Sequence, residues 1–193
     1  TPRRGKIIRL KEKVDNVVPE ITSVEAVLVI NRLGIDVDMK NGRDYWWEEL
    51  RRKASIECEP ERLEANEPGI VFYTSGTTGK PKGVVHSGIA FVVQNYVYAK
   101  YHMDHHDNDV FWCTADIGWL TMHIWGIAGS LANGVTTVVV EGAIDYPSRT
   151  RYYEIIEKYR VNKLFTAPTA LRMLKSMGDK VIANFDLSCL DVI

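Results

Sequence analysis

From Ile70 onward, short apolar runs alternate with segments whose apolar residues recur at helical spacing. The short apolar runs are typical of buried strands, and the helical spacing is typical of amphipathic helices. The predicted strands occupy residues 70–73, 84–85, 110–115, 135–141 and 163–167. Strands separated by helices favour a parallel or mixed sheet with helices on both faces. The sequence therefore predicts an α/β fold, in which ligands bind beyond the carboxyl ends of the strands.

Four helices are predicted in the same part of the chain. Ser87 and Ser148 precede the first and the third, where a hydroxyl oxygen can accept a hydrogen bond from a free backbone amide. The second covers residues 121–131 and ends before Gly134, and the fourth runs from Thr169 to Gly178. The residues expected to face the core are Ile89, Val92, Val93, Tyr96 and Val97 in the first helix, and Tyr152, Ile155, Ile156 and Tyr159 in the third.

Residues 1–66 are predicted to form a separate strand–helix segment that includes a linker. A short helix over residues 12–18 would end near Pro19, and residues 26–30 are a strand candidate. Asp44 can cap a helix that runs to about Ile56. Residues 57–69 are polar and contain two prolines, which makes them the best linker candidate. Residues 67–193 would then form the second domain.

Composition argues against several classes of protein. The net charge of −1 disfavours a nucleic acid or an acidic membrane surface as a partner, and no apolar run is long enough to span a bilayer. Cys58, Cys113 and Cys189 lack the spacing of a disulfide framework and indicate reduced thiols in a cytoplasmic protein. The histidine-rich stretch at residues 102–107 has no ligands held on a defined element, so a solvated loop is preferred to a metal site.

The most distinctive stretch is the loop T-S-G-T-T-G-K-P-K-G at residues 74–83, between the first two predicted strands. Its glycines permit positive φ angles, and successive amides in such a loop can form an anion-binding nest. Its hydroxyl groups add donors and its lysines add positive charge. The loop is not a Walker A loop, because Thr74 stands where the first glycine is required and Pro81 follows the first lysine. An anion-binding loop and a polar hairpin turn are the two interpretations.

Residues 73–86, Y-T-S-G-T-T-G-K-P-K-G-V-V-H, resemble the phosphate loop of the adenylate-forming superfamily. This resemblance implies that the loop holds the phosphates of ATP. The ATP-binding candidates are Thr74, Ser75, Gly76, Thr77, Thr78, Gly79, Lys80, Lys82 and Gly83. The resemblance also implies catalytic roles for Lys80 and Thr77, since donors aimed at developing negative charge stabilise a transition state.

Three further stretches resemble one branch of this superfamily, the short-chain acyl-CoA synthetases, with the acetyl-CoA synthetases nearest. They are W-C-T-A-D-I-G-W-L-T at residues 112–121, V-T-T-V-V-V-E-G at residues 135–142 and F-T-A-P-T-A-L-R at residues 165–172. The resemblance implies an acyl pocket at Trp119, Leu120 and Thr121. The CoA contacts that it implies are Arg3, Lys6, Thr121 and Ala167.

The chain departs from the family pattern at three positions near these sites. Lys6 stands where the family has arginine, which keeps the charge but loses bidentate contact with a phosphate. Asp145 stands where the family has asparagine, and its carboxylate would repel the phosphates of CoA. Leu120 replaces a valine, a change of one methylene that does not identify the acid.

The resemblance implies a reaction in two halves. ATP and acetate, or a similar short-chain carboxylate, form an acyl-adenylate and pyrophosphate, and CoA then displaces AMP to give acyl-CoA. ATP, Mg²⁺ and CoA would be required. Residues 67–193 would be an incomplete AMP-binding core within a large N-terminal domain, and we expect such a fragment to be inactive alone. Two alternatives stay open: a propionyl- or other short-chain acyl-CoA synthetase, and a non-catalytic module that binds a nucleotide or CoA.

Overall fold

The computed structural model describes residues 2–76 and 79–193. These residues divide between two compact units, residues 1–61 and residues 62–193. Thr77 and Thr78, both predicted to bind phosphate, lie outside the described residues. No helix in the described ranges is long and apolar enough to cross a membrane.

The first unit opens with an antiparallel hairpin of β1 (Pro2–Arg3) and β2 (Lys6–Ile7). Arg4 and Gly5 connect these strands with positive φ angles, as a tight hairpin turn requires. The later elements are α1 (Leu10–Val17), a 3₁₀ turn (Val18–Glu20), β3 (Val27–Val29), β4 (Asp44–Trp46) and α2 (Trp47–Lys53). The predicted first helix and the strand within residues 26–30 are confirmed, and β3 pairs in parallel with β4.

The prediction that Asp44 caps a helix is wrong. Asp44 lies in β4 opposite Val27, and its side chain is fully buried. Lys11 Nζ lies 2.5 Å from its Oδ2, and Arg43 Nε lies 2.5 Å from its Oδ1. The hydrogen bond from Arg43, followed by that from Lys11, holds the pKa of Asp44 well below its ordinary value, although burial opposes this. The carboxylate therefore neutralises two cations instead of capping a helix.

The second unit contains all the strands and helices that were predicted after residue 67. In chain order they are β5 (Pro68–Thr74), β6 (Lys82–Ser87), α3 (Gly88–Tyr101), β7 (Val110–Cys113), a π-helix (Met122–Gly129), α4 (Ser130–Ala132), β8 (Thr136–Val138), α5 (Arg151–Tyr159), β9 (Lys163–Phe165), α6 (Pro168–Lys175) and α7 (Asp179–Ile182). β5 and β6 form an antiparallel hairpin. β8, β7 and β9 form a parallel sheet in that order, and Val192 adds a parallel bridge beside Lys163.

Helices cover the parallel sheet on both faces, as predicted. Successive residues of a strand point to opposite faces, so Trp112 and Leu164 pack with Tyr152 and Ile156 of α5 on one side. On the other side, Phe111 and Cys113 pack with Met122 of the π-helix and with Val135. The two clusters are built from neighbouring residues of the same strands, which places the sheet at the centre of this unit.

The predicted α3 is present and capped by Ser87, whose Oγ accepts a hydrogen bond from the Ala90 amide at 3.3 Å. The predicted inward face is wrong. Its apolar residues are exposed by two fifths or more: Ile89, Val92, Val93, Tyr96 and Val97. The buried residues of α3 are Asn95 and Ala99. A Cβ added to Gly129 of the π-helix would lie 3.0 Å from the Ala99 Cβ. The two helices therefore approach each other closely, and α3 packs through the face that carries the small Ala99 side chain.

The predicted helix over residues 121–131 is present, but its centre is a π-helix. A wider helical turn displaces backbone carbonyl groups from their usual hydrogen-bond donors. Side chains donate hydrogen bonds to three of these carbonyl groups. Thr137 Oγ1 donates to the Gly126 carbonyl at 2.6 Å, and Ser130 Oγ donates to the Trp125 carbonyl at 2.8 Å. Asn133 Nδ2 donates to the Gly129 carbonyl at 2.8 Å, which helps to end the helix where the sequence predicts.

Three smaller expectations also need correction. Ser148 does not cap α5, because Thr150 is the cap residue and its amide donates to Ser148 Oγ at 3.0 Å. Tyr159 is 49% exposed, whereas the other predicted inward residues of α5 are buried. β8 ends at Val138 rather than at Glu141.

Candidate functional site

The predicted phosphate loop connects β5 to β6. Thr74 and Lys82 are opposite each other in the hairpin and close the loop. Gly76 has a φ of 64°, and a Cβ at this position would lie 2.5 Å from the Lys80 carbonyl oxygen, so only glycine fits without a shift. Ser75, Lys80 and Lys82 are exposed. The described residues of the loop therefore present a hydroxyl group and two ammonium groups to solvent, which are donors suited to an anion.

Phe72 anchors the hairpin on the helices of the second unit. Its ring lies 5.4 Å from the His123 ring on the π-helix and 6.0 Å from the Phe91 ring on α3. The backbones also approach closely, because a Cβ on Gly69 would lie 2.5 Å from Gly88 Cα. The loop is thus held beside the helix that begins just after Trp119.

A tight turn follows the carboxyl end of β7 and carries the predicted acyl-pocket residues. Asp116 Oδ1 accepts from the Gly118 amide at 3.0 Å, and the Asp116 carbonyl accepts from the Trp119 amide at 2.9 Å. These bonds close the turn that carries Trp119, which is 66% exposed. Leu120 and Thr121 follow in the helix and are partly buried. The turn therefore offers a large aromatic surface at the edge of the sheet.

Ala167 lies at the same edge, because it follows β9 and β9 is the parallel neighbour of β7. It is exposed and precedes α6 as its cap residue. The Thr114 amide donates to the Phe165 carbonyl at 3.0 Å, and the hydroxyl oxygens of Thr114 and Thr166 are 2.8 Å apart. The structure thus brings the predicted acyl pocket and the predicted CoA contact at Ala167 to neighbouring strand ends.

Arg3 and Lys6, the other predicted CoA contacts, belong to the first unit. They are opposite each other across the β1–β2 hairpin, and both are exposed. Like charges directly opposite in a strand pair are destabilising. The structure therefore places two positively charged side chains on one short hairpin, and a CoA contact there stays a prediction.

The groups buried near the sheet edge are neutral. Burial raises the pKa of the Cys113 thiol and outweighs a backbone hydrogen bond at Ala115, so this cysteine is not an activated nucleophile. Burial also raises the pKa of Tyr152 to about 12, although its interaction with Thr166 opposes the change. These two buried groups therefore add no charge to the sheet edge at neutral pH.

The predicted solvated loop at residues 102–107 is partly wrong, because His105 is only 1% exposed. Its ring packs edge-on against Phe111, and its Nε2 lies 3.4 Å from Ser130 Oγ. Burial, the largest influence, lowers the pKa of His105. Within the described ranges no group of three or more acidic, histidine or cysteine side chains is arranged to hold a metal ion.

Sequence reasoning missed Thr114, Thr166 and Tyr152 as residues of this edge. Thr114 and Thr166 each come directly after a strand. That position was the one signal in the sequence that could have identified them, since ligands of parallel sheets bind beyond the strand ends. Tyr152 was predicted only as a core residue of α5, which it also is.

Comparisons with known proteins identify the family of the chain. The family model for AMP-binding enzymes matches residues 6–193. An acetyl-coenzyme A synthetase of Salmonella typhimurium is 45% identical over 193 residues, which covers 99% of this chain and 30% of that protein. One of Pyrobaculum aerophilum is 47% identical over 194 residues, covering 99% and 29%. The chain thus spans about 30% of the length of the curated relatives it matches.

A solved structure supports the same assignment. Acetoacetyl-CoA synthetase from Streptomyces lividans matches this chain with a TM-score of 0.84 and 26% sequence identity, over 98% of this chain and 28% of that one. The α/β architecture is therefore shared with an adenylate-forming enzyme. With a family match that extends over nearly every residue, the chain belongs to the AMP-binding enzyme family.

Proposed function

We propose that the polypeptide carrying these residues activates acetate, or a similar short-chain carboxylate, with ATP and transfers the acyl group to CoA. The observation that carries the proposal is the identity of about 45% to acetyl-coenzyme A synthetases along 99% of the chain. The site geometry is consistent with it, because the anion-binding loop is anchored on the helix that follows the proposed acyl pocket. The products would be acyl-CoA, AMP and pyrophosphate.

The first half-reaction brings two anions together. A carboxylate oxygen attacks the α-phosphorus of ATP, and the bond from that phosphorus to pyrophosphate breaks. No proton has to be removed from the carboxylate, so we assign no general base. Lys80, Lys82 and the loop amides would screen the repulsion and stabilise the transition state, with Lys80 and Thr77 in the catalytic roles. Ser75, Gly76 and Gly79 would contact the phosphates.

Mg²⁺ would enter with ATP in this proposal. The loop supplies donors rather than carboxylate ligands, and the described residues contain no acidic cluster for a metal ion. Mg²⁺ is commonly held by substrate phosphates together with water and few protein ligands. The ion would neutralise phosphate charge during the displacement.

The second half-reaction takes place at the carboxyl edge of the sheet in this proposal. The CoA thiol loses its proton to water, its sulfur attacks the acyl carbonyl carbon, and the bond from that carbon to the AMP oxygen breaks, so that AMP leaves. Trp119, Leu120 and Thr121 would contact the acyl group, and Thr121 and Ala167 would border the path of the thiol. Arg3 and Lys6 would contact phosphates of CoA, because both side chains are exposed and positively charged.

The test uses the intact gene product in two assays. Carboxylate-dependent exchange of pyrophosphate into ATP measures the first half-reaction, and CoA-dependent release of AMP measures both. We expect exchange with acetate and AMP release only when CoA is added. A series from acetate to butyrate ranks the acids. ATP binding without exchange for any acid would overturn the proposal in favour of a non-catalytic nucleotide-binding module.

Residues 1–193 expressed alone are expected to turn over no substrate and to bind ATP weakly. The described loop residues are largely exposed, and charge contacts at exposed sites typically contribute about 0–1 kcal/mol each. Several such contacts correspond to roughly millimolar affinity. Titration calorimetry with ATP and an AMP-release assay check this, and turnover at the rate of the intact gene product would contradict it.

A further inference from the structure

A pair of threonine hydroxyls joins the carboxyl ends of β7 and β9. The two strands are paired up to Cys113 and Phe165. One residue further, the Thr114 and Thr166 hydroxyl oxygens are 2.8 Å apart and partly buried. The two side chains therefore connect the strands one residue beyond the last paired residues, where the two segments leave the sheet.

The two segments that this pair connects have different proposed tasks. Thr114 precedes the Asp116 turn that carries Trp119. Thr166 precedes Ala167, the residue from which α6 begins. A change in the spacing of the two threonines would shift Ala167 relative to the acyl-pocket turn. Small misplacements of reacting groups are costly, because the reacting atoms must be held in a near-attack geometry.

Tyr152 lies behind this pair in the core. Its side chain is 1% exposed, and its ring packs 4.9 Å from the Trp112 ring. Its hydroxyl is close enough to Thr166 to interact with it but does not reach hydrogen-bond geometry. Thr166 therefore has two neighbouring side chains, the Thr114 hydroxyl and the buried Tyr152, and these restrict its position.

We propose that Thr166, through its hydrogen bond with Thr114, is a positioning residue for thioester formation. The bond holds Ala167 at a fixed distance from the acyl-pocket turn, so that the CoA sulfur meets the acyl carbonyl. This inference rests on the proposed function, since it presumes that CoA and the acyl group meet at this edge. The phosphate loop is connected to β5 and β6 rather than to β9, so the first half-reaction should be insensitive to this bond.

The experiment compares Thr166→Val with Thr166→Ser in the intact gene product. Valine has nearly the same shape as threonine but lacks the hydroxyl, whereas serine keeps the hydroxyl. We expect Thr166→Val to raise the KM for CoA or lower the CoA-dependent rate by about tenfold in total, with acetate-dependent exchange retained. Thr166→Ser should restore most of the loss. Thr136→Val is the matched control, because Thr136 is exposed at the opposite end of the same sheet.

Each outcome decides the question. A purely structural role would lower both half-reactions together, without rescue by serine, and that result would overturn the inference. An unchanged CoA dependence in a folded valine variant would also overturn it. If Thr166→Val does not fold, Thr114→Val removes the same bond from the other strand and is judged by the same criteria. If neither folds, the pair is a stability element and the inference is wrong. Absence of acetate-dependent exchange in the unmodified protein would overturn the proposed function itself.

Discussion

The two ends of the parallel sheet differ in how their polar groups are used. At the amino end, Lys163 and Asp109 are 5% and 6% exposed and pair at 3.3 Å. Asn162 Nδ2 donates to Asp109 Oδ1 at 2.6 Å, and the Asn162 side-chain oxygen accepts from the Val110 amide at 2.7 Å. At the carboxyl end, Trp119 and Ala167 are exposed, and one threonine pair joins the strands.

The two ends of the sheet therefore differ in their expected tasks: the amino end contributes to stability, and the carboxyl end is the proposed binding edge. Burial raises the pKa of Asp109, but hydrogen bonds from the His106 amide, Asn162 and Lys163 outweigh it and hold the pKa below its ordinary value. The amino end thus satisfies its buried charges internally. The carboxyl end leaves donors and apolar surface for a ligand, as expected where parallel strands end. Mutations at the amino end should therefore lower stability and leave activity unchanged, and mutations at the carboxyl end should lower activity and leave stability unchanged.

The largest effect is expected from Asp109→Ala at the amino end. This change removes the buried carboxylate that pairs with the Lys163 ammonium and leaves it only the exposed carboxylate of Asp104, at 3.6 Å. Removing one member of a buried ion pair costs about 3–5 kcal/mol, and we expect a loss at the lower end of this range. Urea denaturation of the intact gene product should show this loss, while activity per folded molecule stays unchanged. Asp107→Ala, at an exposed position of the same loop, is the control and should change stability little. Equal stability of the two variants would contradict the assignment.

Ala167→Trp at the carboxyl end should produce the reverse signature. Ala167 is exposed, so the larger side chain should not disturb the core. The indole would occupy the proposed path of CoA and reduce CoA-dependent AMP release by about a hundredfold, while acetate-dependent exchange continues. Ala183→Trp, at an exposed position after α7, is the control. Equal loss of both half-reactions would indicate that Ala167 has only a structural role.

Much of this arrangement could be predicted from the sequence, for an identifiable reason. The strands of the parallel sheet are largely apolar runs, because such a sheet is buried on both faces. The apolar runs of β5 and β6 also form strands, but in an antiparallel hairpin with several exposed apolar residues, which corrects the expectation that they are buried. The resemblance to the short-chain acyl-CoA synthetases then pointed to Trp119 and Ala167, and both follow strands of the predicted sheet. The spacing of apolar residues predicted the wrong inward face for helix α3. This helix is apolar on nearly all sides, so spacing alone could not show that Ala99 and Asn95 are its buried residues.

Polar residues whose roles depend on tertiary partners were not predictable. Asp44 has the residue type of a helix cap, but the distant Lys11, together with the neighbouring Arg43, engages its carboxylate. His105 lies in a polar stretch, yet its ring is buried against Phe111. The bond between Thr114 and Thr166 depends on the register of β7 and β9. None of these contacts is encoded in a local pattern.

Acidification provides a smaller test of the amino end. The buried His105 ring has a lowered pKa, whereas in the unfolded chain it takes up a proton near its ordinary pKa of about 6.5. Protonation then favours the unfolded chain, so the free energy of unfolding should fall as the pH drops from about 6.5 towards the folded pKa. The neighbouring Asp109 acts at lower pH, because its stabilisation is lost only as the pH falls below about 4.

His105→Gln should flatten this pH dependence, since it removes the titrating ring. His102→Gln, at an exposed position of the same segment, should leave the slope as it is in the unmodified protein. Denaturation midpoints at a series of pH values between neutral and mildly acidic give the slopes. The same slope in both variants would mean that another group controls stability in this range.

The smallest effect is expected from Lys6→Arg, which asks whether the β1–β2 hairpin contributes to the second half-reaction. Both side chains carry a positive charge, so the electrostatic attraction to a phosphate is kept. Arginine adds a planar pair of donors that can bind a phosphate in bidentate fashion. Lys6 is exposed and opposite Arg3, where one added charge-assisted contact contributes about 0–1 kcal/mol. The KM for CoA should therefore fall by a factor of about two to five, with no change in acetate-dependent exchange or in stability.

Lys13→Arg, at an exposed position of α1, is the matched control and should leave the KM for CoA unchanged. An equal response of the two variants, or a response of exchange rather than of CoA, would remove the hairpin from the proposed CoA contacts while leaving the assignment of the sheet edge intact.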